Sequence, residues 1–193
     1  MTFPNQLSIV RIILSPVFLF LALSDDVILF RLSFIVYLIA TITDWYDGWY
    51  ARKYKTITRM GIFLDPFADK VLTTFAFIFF YINRIMPLWM LIIIAARDLI
   101  VTLLRSYDEF RGITLKTSYI AKVKTFIQMT YIFVILVLMN FEKIIQDNSV
   151  SKVINYFLYE SDINFLLLLL ITILTIYSGL EYFFVKTRKV ENN

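Results

Sequence analysis

Apolar stretches long enough to cross a lipid bilayer recur along this chain, and no other feature narrows its fold as much. A hydrocarbon core of about 30 Å takes roughly 20 helical residues. Backbone groups in lipid find no water, so each crossing segment has to satisfy its own, as a helix does. Six such stretches are read, at roughly 7–24, 31–52, 66–83, 87–106, 119–140 and 163–185. They are separated by Ser24-Asp25-Asp26, the basic stretch after Ala51, Asn83 to Pro87, Tyr107 to Ser118, and Glu142 to Asp162. The expected fold is all-α, a polytopic membrane protein with six transmembrane helices in one domain over residues 1–193. Phe3-Pro4-Asn5 is expected to form a short helix at the membrane interface ahead of the first span.

Composition agrees. Hydrophobic residues make up 60% of the 193, against about half in soluble domains. The first apolar run lacks a basic leader and a small-residue cleavage site, and it carries Arg11 and Pro16. It is therefore expected to stay as a span rather than be removed as a signal peptide. The net charge of +4 is read as loop cations beside anionic lipid, with no nucleic-acid partner. There is no cysteine and no histidine. Disulfides, thiolate nucleophiles, imidazole bases and zinc sites of the His/Cys type are excluded. Acid–base chemistry falls to Asp, Glu, Lys or Tyr, and any metal to oxygen ligands.

One stretch breaks the apolar pattern: DWYDGWYARKYKTITRMGIFLDPFAD, from Asp44 to Asp69. At about 100° per residue, Asp44, Asp47, Gly48 and Ala51 share one helix face. Trp45, Tyr46, Trp49 and Tyr50 fall opposite, where an aromatic belt belongs. Asp65 before Pro66 reads as a helix N-cap, with Asp69 one turn further on. Carboxylates this close repel unless a cation holds them. A hard cation fits (Mg²⁺, Mn²⁺ or Ca²⁺), as a two-metal cluster. The competing reading makes each aspartate a cap or gives it a neighbour such as Arg52, Lys53 or Lys70.

The register Asp44-x2-Asp47-Gly48-x2-Ala51-Arg52-x8-Gly61-x3-Asp65-x3-Asp69 resembles the signature of the CDP-alcohol phosphatidyltransferase family at every fixed position. The resemblance implies a six-helix membrane enzyme, usually a homodimer, that displaces CMP from a CDP-linked alcohol. It implies two divalent cations, Mg²⁺ or Mn²⁺, on Asp44, Asp47, Asp65 and Asp69. Asp44, Gly48, Ala51, Arg52, Gly61 and Asp65 would bind the CDP group, and Asp69 would be the general base.

Further stretches are similar to bacterial phosphatidylglycerolphosphate synthases: PNQLSIVRI from Pro4, IIIAARDLIVTLLR from Ile92, AKVKT from Ala121 and SGLEYF from Ser178. Asp98 stands where those proteins commonly have Glu, and Ala121 where they commonly have Gly. This resemblance implies CDP-diacylglycerol as donor, glycerol-3-phosphate as acceptor, membrane lipids as surroundings, and a bacterial plasma membrane as location. Arg97, Arg105, Lys122 and Lys124 are the candidates for the acceptor phosphate. Cations within spans are functional candidates by default, against the bland reading that they snorkel. Arg offers phosphate a planar fork. Arg11 is read as facing the nucleotide or snorkelling, and Glu181 as bracing a cation. The alternatives are a family member with another acceptor (a cardiolipin synthase or phosphatidylserine synthase) and, from another class, a divalent-cation transporter.

Lys and Arg gather between the second and third stretches, between the fourth and fifth, and at the C-terminus (Lys186, Arg188, Lys189). Both termini and the aspartates are therefore expected on the cytoplasmic side. An engineered cysteine in the 52–61 segment should react with a membrane-impermeant thiol reagent from the cytoplasmic face only. Labelling from outside would reverse the orientation.

Overall fold

The computed structural model describes residues 3–54, 59–111, 118–144 and 148–191. Lys55 and Lys116, two of the loop cations on which the expected orientation rests, lie outside these. So do the side chains of residues 3–4, 45, 47–52, 54, 59–60, 62, 144, 148 and 185–191.

Seven α-helices account for nearly all of it: α1 Phe3–Ala22, α2 Val27–Tyr54, α3 Arg59–Ile82, α4 Leu88–Phe110, α5 Tyr119–Ile144, α6 Asn148–Asn155 and α7 Asp162–Glu191. A single π-helical turn, Tyr156–Glu160, joins α6 to the segment before α7. Among the described residues there is no strand.

The helix ends follow from the punctuation in the sequence. Asp26 caps α2, its Oδ1 accepting from the Ile28 amide at 2.7 Å. At the end of α3 the Ile85 amide reaches back to the Phe80 carbonyl at 2.9 Å, and Arg84 takes the left-handed conformation, φ 61°. Pro87, extended, leads into α4. Ser161 caps α7 through the Ile163 amide at 3.1 Å.

Four helices contain windows long and apolar enough to cross a membrane: Asn5–Ala22, Val27–Asp44, Tyr119–Lys143 and Asp162–Phe184, with mean hydropathies of 1.7, 1.9, 1.6 and 2.2. The chain is a helical membrane protein. Six spans were expected. The remaining two long helices, α3 and α4, have 24 and 23 residues. Each carries three charges in its apolar stretch: Asp65, Asp69 and Lys70 in one, Arg97, Asp98 and Arg105 in the other. They differ from the four through the residues singled out for chemistry.

Three local expectations need correcting. Phe3-Pro4-Asn5 is the first turn of α1, not a separate interfacial helix. Proline is accommodated there because first-turn amides have no helical partner to lose. Asp65 does not cap α3, which begins at Arg59 and runs through Pro66; the proline removes one backbone bond and the helix continues. The polar break from Glu142 to Asp162 contains α6 and the π turn. Val150, Val153, Ile154, Phe157 and Leu158 recur there at helical spacing.

α1 packs along both α2 and α3, far more extensively than those two pack on each other. α3 lies on α4, and α7 receives α4 and α5. Phe18, Phe30, Tyr37, Phe77, Phe79, Phe80 and Tyr131 fill the centre, with Phe18 and Tyr37 centroids 5.5 Å apart. The outside is apolar too: Phe20 is 78% exposed and Phe126 72%, as lipid contact requires. Several buried hydroxyls bond within their own helices, Ser15 to the Arg11 carbonyl at 2.8 Å and Thr175 to that of Ile171 at 2.7 Å. This satisfies them without water and leaves small surfaces for close helix approach.

Away from the aspartates, Asn164 ties three segments together. Its Nδ2 donates to the carbonyls of Leu158 at 2.8 Å and Ile85 at 3.4 Å, and its Oδ1 accepts from Tyr131 Oη at 2.7 Å. Asn164→Leu leaves the phenol and two carbonyls unpaired, each a penalty of about 1–3 kcal/mol when buried. Thermal unfolding in detergent should show a Tm lower by several degrees. Tyr131→Phe, which strands one acceptor, should lower it less.

Candidate active site

The aspartates lie where α2 leaves its apolar window and where α3 begins. The window in α2 closes at Asp44, and α2 continues to Tyr54. Asp47, Gly48, Ala51 and Arg52 are in that continuation, their side chains outside the described residues. Asp65 and Asp69 follow on the first turns of α3. Both carboxylates there are half-buried, and Gly61 is buried one turn before Asp65.

α1 supplies what holds two of these acids. Arg11 is fully buried, and its Nη1 donates to Asp44 Oδ1 at 2.6 Å. Its Nε donates to the Ala40 carbonyl one turn earlier on α2, at 3.1 Å. The Asp44 side chain itself is 41% exposed. Ser8, also buried, donates through Oγ to Asp65 Oδ1. Ser8 and Arg11 are three residues apart, hence neighbours on one face of α1, so one helix face holds Asp44 and Asp65. Of the two readings open for Arg11, snorkelling is the one this burial rules out. Ser8 was not singled out from sequence, although PNQLSIVRI contains it. The third described acid, Asp69, accepts from Lys70 Nζ at 2.7 Å. Arg11 and Lys70 give two aspartates side-chain partners, which the competing reading called for.

A second charged group lies beside the first. Asp98 on α4 is 2% exposed and takes both oxygens to Lys124 Nζ on α5, each at 2.6 Å. Arg97 Nη1 adds a third bond to Asp98 Oδ1 at 3.0 Å. Of the two cations, Lys124 is the more deeply engaged partner. Lys70 lies within electrostatic reach of Asp98 and Arg97, so it joins the acids of α3 to the cations of α4 and α5. Arg105, half-buried two turns on from Arg97, is within electrostatic reach of Tyr182, whose hydroxyl donates to Asp108 at 2.7 Å. Lys122 is exposed. The expectation that Glu181 braces a cation is not met at its Oε2, which is buried with no hydrogen-bond partner among the described residues.

Carboxylate oxygens are hard ligands and suit Mg²⁺ or Mn²⁺ rather than a soft metal. In donor chemistry the four aspartates fit such ions. Among the described residues no three acidic side chains converge as a ligand set; Asp47, the fourth candidate, is outside that description.

Fold and site together define a helical membrane protein whose acids, on α2 and α3, adjoin cations on α4 and α5. The family model for CDP-alcohol phosphatidyltransferases matches residues 1–177, and the chain belongs to that family. It is 35% identical over 138 residues to a Bacillus subtilis protein named CDP-diacylglycerol–glycerol-3-phosphate 3-phosphatidyltransferase, covering 65% of this chain and 72% of that one. Proteins of the same name from Rickettsia typhi and Salmonella typhimurium are 34% identical over 126 residues and 36% over 132. Each covers 65% of this chain and 71% of its own length.

The Asp98 clamp generates a stability test. Removing one partner of a buried ion pair leaves the other charge uncompensated, at about 3–5 kcal/mol. Asp98→Asn strands Lys124 and should strongly lower the unfolding midpoint in detergent. Asp98→Leu combined with Lys124→Met should recover much of that loss. A double variant no better than Asp98→Asn would mean that the loss is not the cost of a stranded Lys124 charge.

Proposed function

We propose that this protein transfers the phosphatidyl group of CDP-diacylglycerol to glycerol-3-phosphate, giving phosphatidylglycerolphosphate and CMP. The observation that carries the reading is the adjacency of two charged groups of opposite character. One is the signature set of acids, with Asp44 and Asp65 held by α1. The other is the cation group of α4 and α5, reached through Lys70. A donor with a pyrophosphate and an acceptor with a phosphate need separate seats, and acyl chains need hydrocarbon beside them. The printed names of the relatives support the same donor and acceptor.

In this reading the acceptor hydroxyl oxygen bonds to the phosphatidyl phosphorus, the bond to the CMP oxygen breaks, and the hydroxyl proton passes to an Asp69 carboxylate oxygen. Bound on Asp44, Asp47, Asp65 and Asp69, two divalent cations (Mg²⁺ or Mn²⁺) would neutralise charge developing on the pyrophosphate. Arg11 and Ser8 fix the orientations of Asp44 and Asp65 before substrate arrives, which is where preorganised sites gain over water. Gly48, Ala51, Arg52 and Gly61 form the seat of the CDP group, and two missing side chains let it approach the backbone. Arg97, Arg105 and Lys122 receive the acceptor phosphate, while Lys124 holds Asp98 in place behind them.

The same proposal has α3 and α4 crossing the membrane with the other four long helices, both termini in the cytoplasm, and the chain acting as a homodimer in a bacterial plasma membrane.

Radiolabelled CDP-diacylglycerol in detergent with Mg²⁺ tests the reading against serine, inositol phosphate, phosphatidylglycerol and glycerol-3-phosphate. CMP release should be fastest with glycerol-3-phosphate. Asp69→Asn should slow it by about 10²-fold or more, the scale of a lost general base, while CDP-diacylglycerol still binds. Preference for another acceptor would overturn the acceptor assignment. Loss of binding together with rate would make Asp69 mainly a ligand.

A further inference from the structure

The aspartates sit at the start of α3; at its other end, where the chain turns into α4 and meets the π-helical turn before α7, there is an open cavity of about 410 Å³. Ligand pockets have this size. Its wall includes Tyr81, Arg84, Met86, Leu158, Tyr159 and Phe165. Arg84 is the only charged residue of that wall, and it is exposed and makes no ion pair among the described residues. Glu142, within electrostatic reach of Tyr159, accepts from Asn155 and Ser151 at 3.3 and 3.5 Å and does not line the cavity. Glu160 and Asp162 are exposed and do not line it either. The backbone of Arg84 is left-handed, φ 61°, in a turn closed by the Arg84 amide on the Tyr81 carbonyl at 3.0 Å. Glycine adopts that conformation without strain; an arginine kept there points to a use for its cationic head. Asn164, bonded to the carbonyls of Ile85 and Leu158, ties the two sides of the cavity to each other, so its shape is set before any ligand arrives. Exposed Tyr81, Trp89, Tyr156 and Tyr159 fall at this end of the bundle, as in an aromatic belt at headgroup level.

We propose that this cavity is a second lipid site, remote from the aspartates, which seats an anionic phospholipid with its phosphodiester on Arg84 and its glycerol and first acyl carbons against Met86, Leu158 and Phe165. A lone cation without a counter-ion calls for an anion, and its fork matches phosphate oxygens. The apolar wall beside it calls for a ligand with hydrocarbon attached, which a free phosphate lacks. The inference rests on the membrane fold alone and not on the transfer reaction.

Tryptophan quenching tests this. Trp45→Phe with Trp49→Phe leaves Trp89, two residues after the cavity-lining Pro87, as the one indole. The purified protein carrying these two changes is placed in phosphatidylcholine vesicles containing a minor share of brominated phosphatidylglycerol or of brominated phosphatidylcholine. Brominated phosphatidylglycerol should quench Trp89 with a relative binding constant about fivefold higher, the scale of one cation meeting an anionic lipid. Arg84→Gln should bring the two lipids within about twofold of each other. Arg84→Gly should do the same while the unfolding midpoint holds or rises, because glycine relieves the left-handed turn; it decides should Arg84→Gln fail to fold. Lys152→Gln, which removes an exposed cation on neighbouring α6, should leave the fivefold preference in place. A wild type quenched equally by both lipids overturns the proposal. So does a Lys152→Gln variant that loses as much as Arg84→Gln, which would mean general attraction to the surface. Loss of the preference in excess inorganic phosphate, at ionic strength matched with chloride, would make the ligand a free anion and overturn the lipid assignment.

Discussion

Arg11 has no exposed surface, and a guanidinium cut off from water has to find its acceptors inside the protein. It finds them on α2, in the Asp44 carboxylate and the Ala40 carbonyl. This one buried cation sets the depth and rotation of α1 against α2. Ser8, one turn away, then meets Asp65 on α3. α1 is thus a spacer with chemistry on its face. It takes up the largest share of the packing of both α2 and α3, which meet each other much less, and it supplies a donor to an acid on each.

The second charged group works by the same rule. A buried carboxylate is tolerable at Asp98 because three donor contacts reach it from Lys124 and Arg97. Those contacts cost the cations some of their freedom to bind anything else. Lys124 gives both of its contacts to Asp98, while Arg97 meets the same carboxylate through Nη1 alone. Lys70 bonds Asp69 and lies within electrostatic reach of Asp98 and Arg97, so a change of charge in either group is felt at this largely buried amine.

Much of this was readable from residue order because it rests on local spacing. Four aspartates at intervals of three and four, with Gly48 and Ala51 interleaved, define a helix face whatever the tertiary arrangement. Apolar runs of span length define membrane helices in the same way. What stayed hidden depends on which helices touch. Ser8 is an ordinary hydroxyl until α1 is laid beside α3. Lys124 looks like a ligand-binding cation until α5 brings it to Asp98, 26 residues away in sequence. The start of α3 was misplaced because Asp65-Pro66 matches a capping signal, and a proline eight residues into a helix is permitted at the cost of one bond. α6 is hidden for a different reason: Val150, Val153 and Ile154 stand among polar residues in a helix of eight, too short to cross a membrane.

The arrangement also bears on why such a site needs a membrane fold of this kind. A transfer between a lipid-linked pyrophosphate and a water-soluble phosphate has to bring an oily molecule and a dianion to one point. Helices whose outer faces are as apolar as Phe20 and Phe126 meet the first requirement. The second requires cations within spans, where each unpaired charge is penalised. Pairing them with acids on neighbouring helices lowers that penalty, and the pairs fix the helices in turn. Charge neutralisation, helix register and ligand geometry are then one set of contacts, and none can be altered without moving the other two.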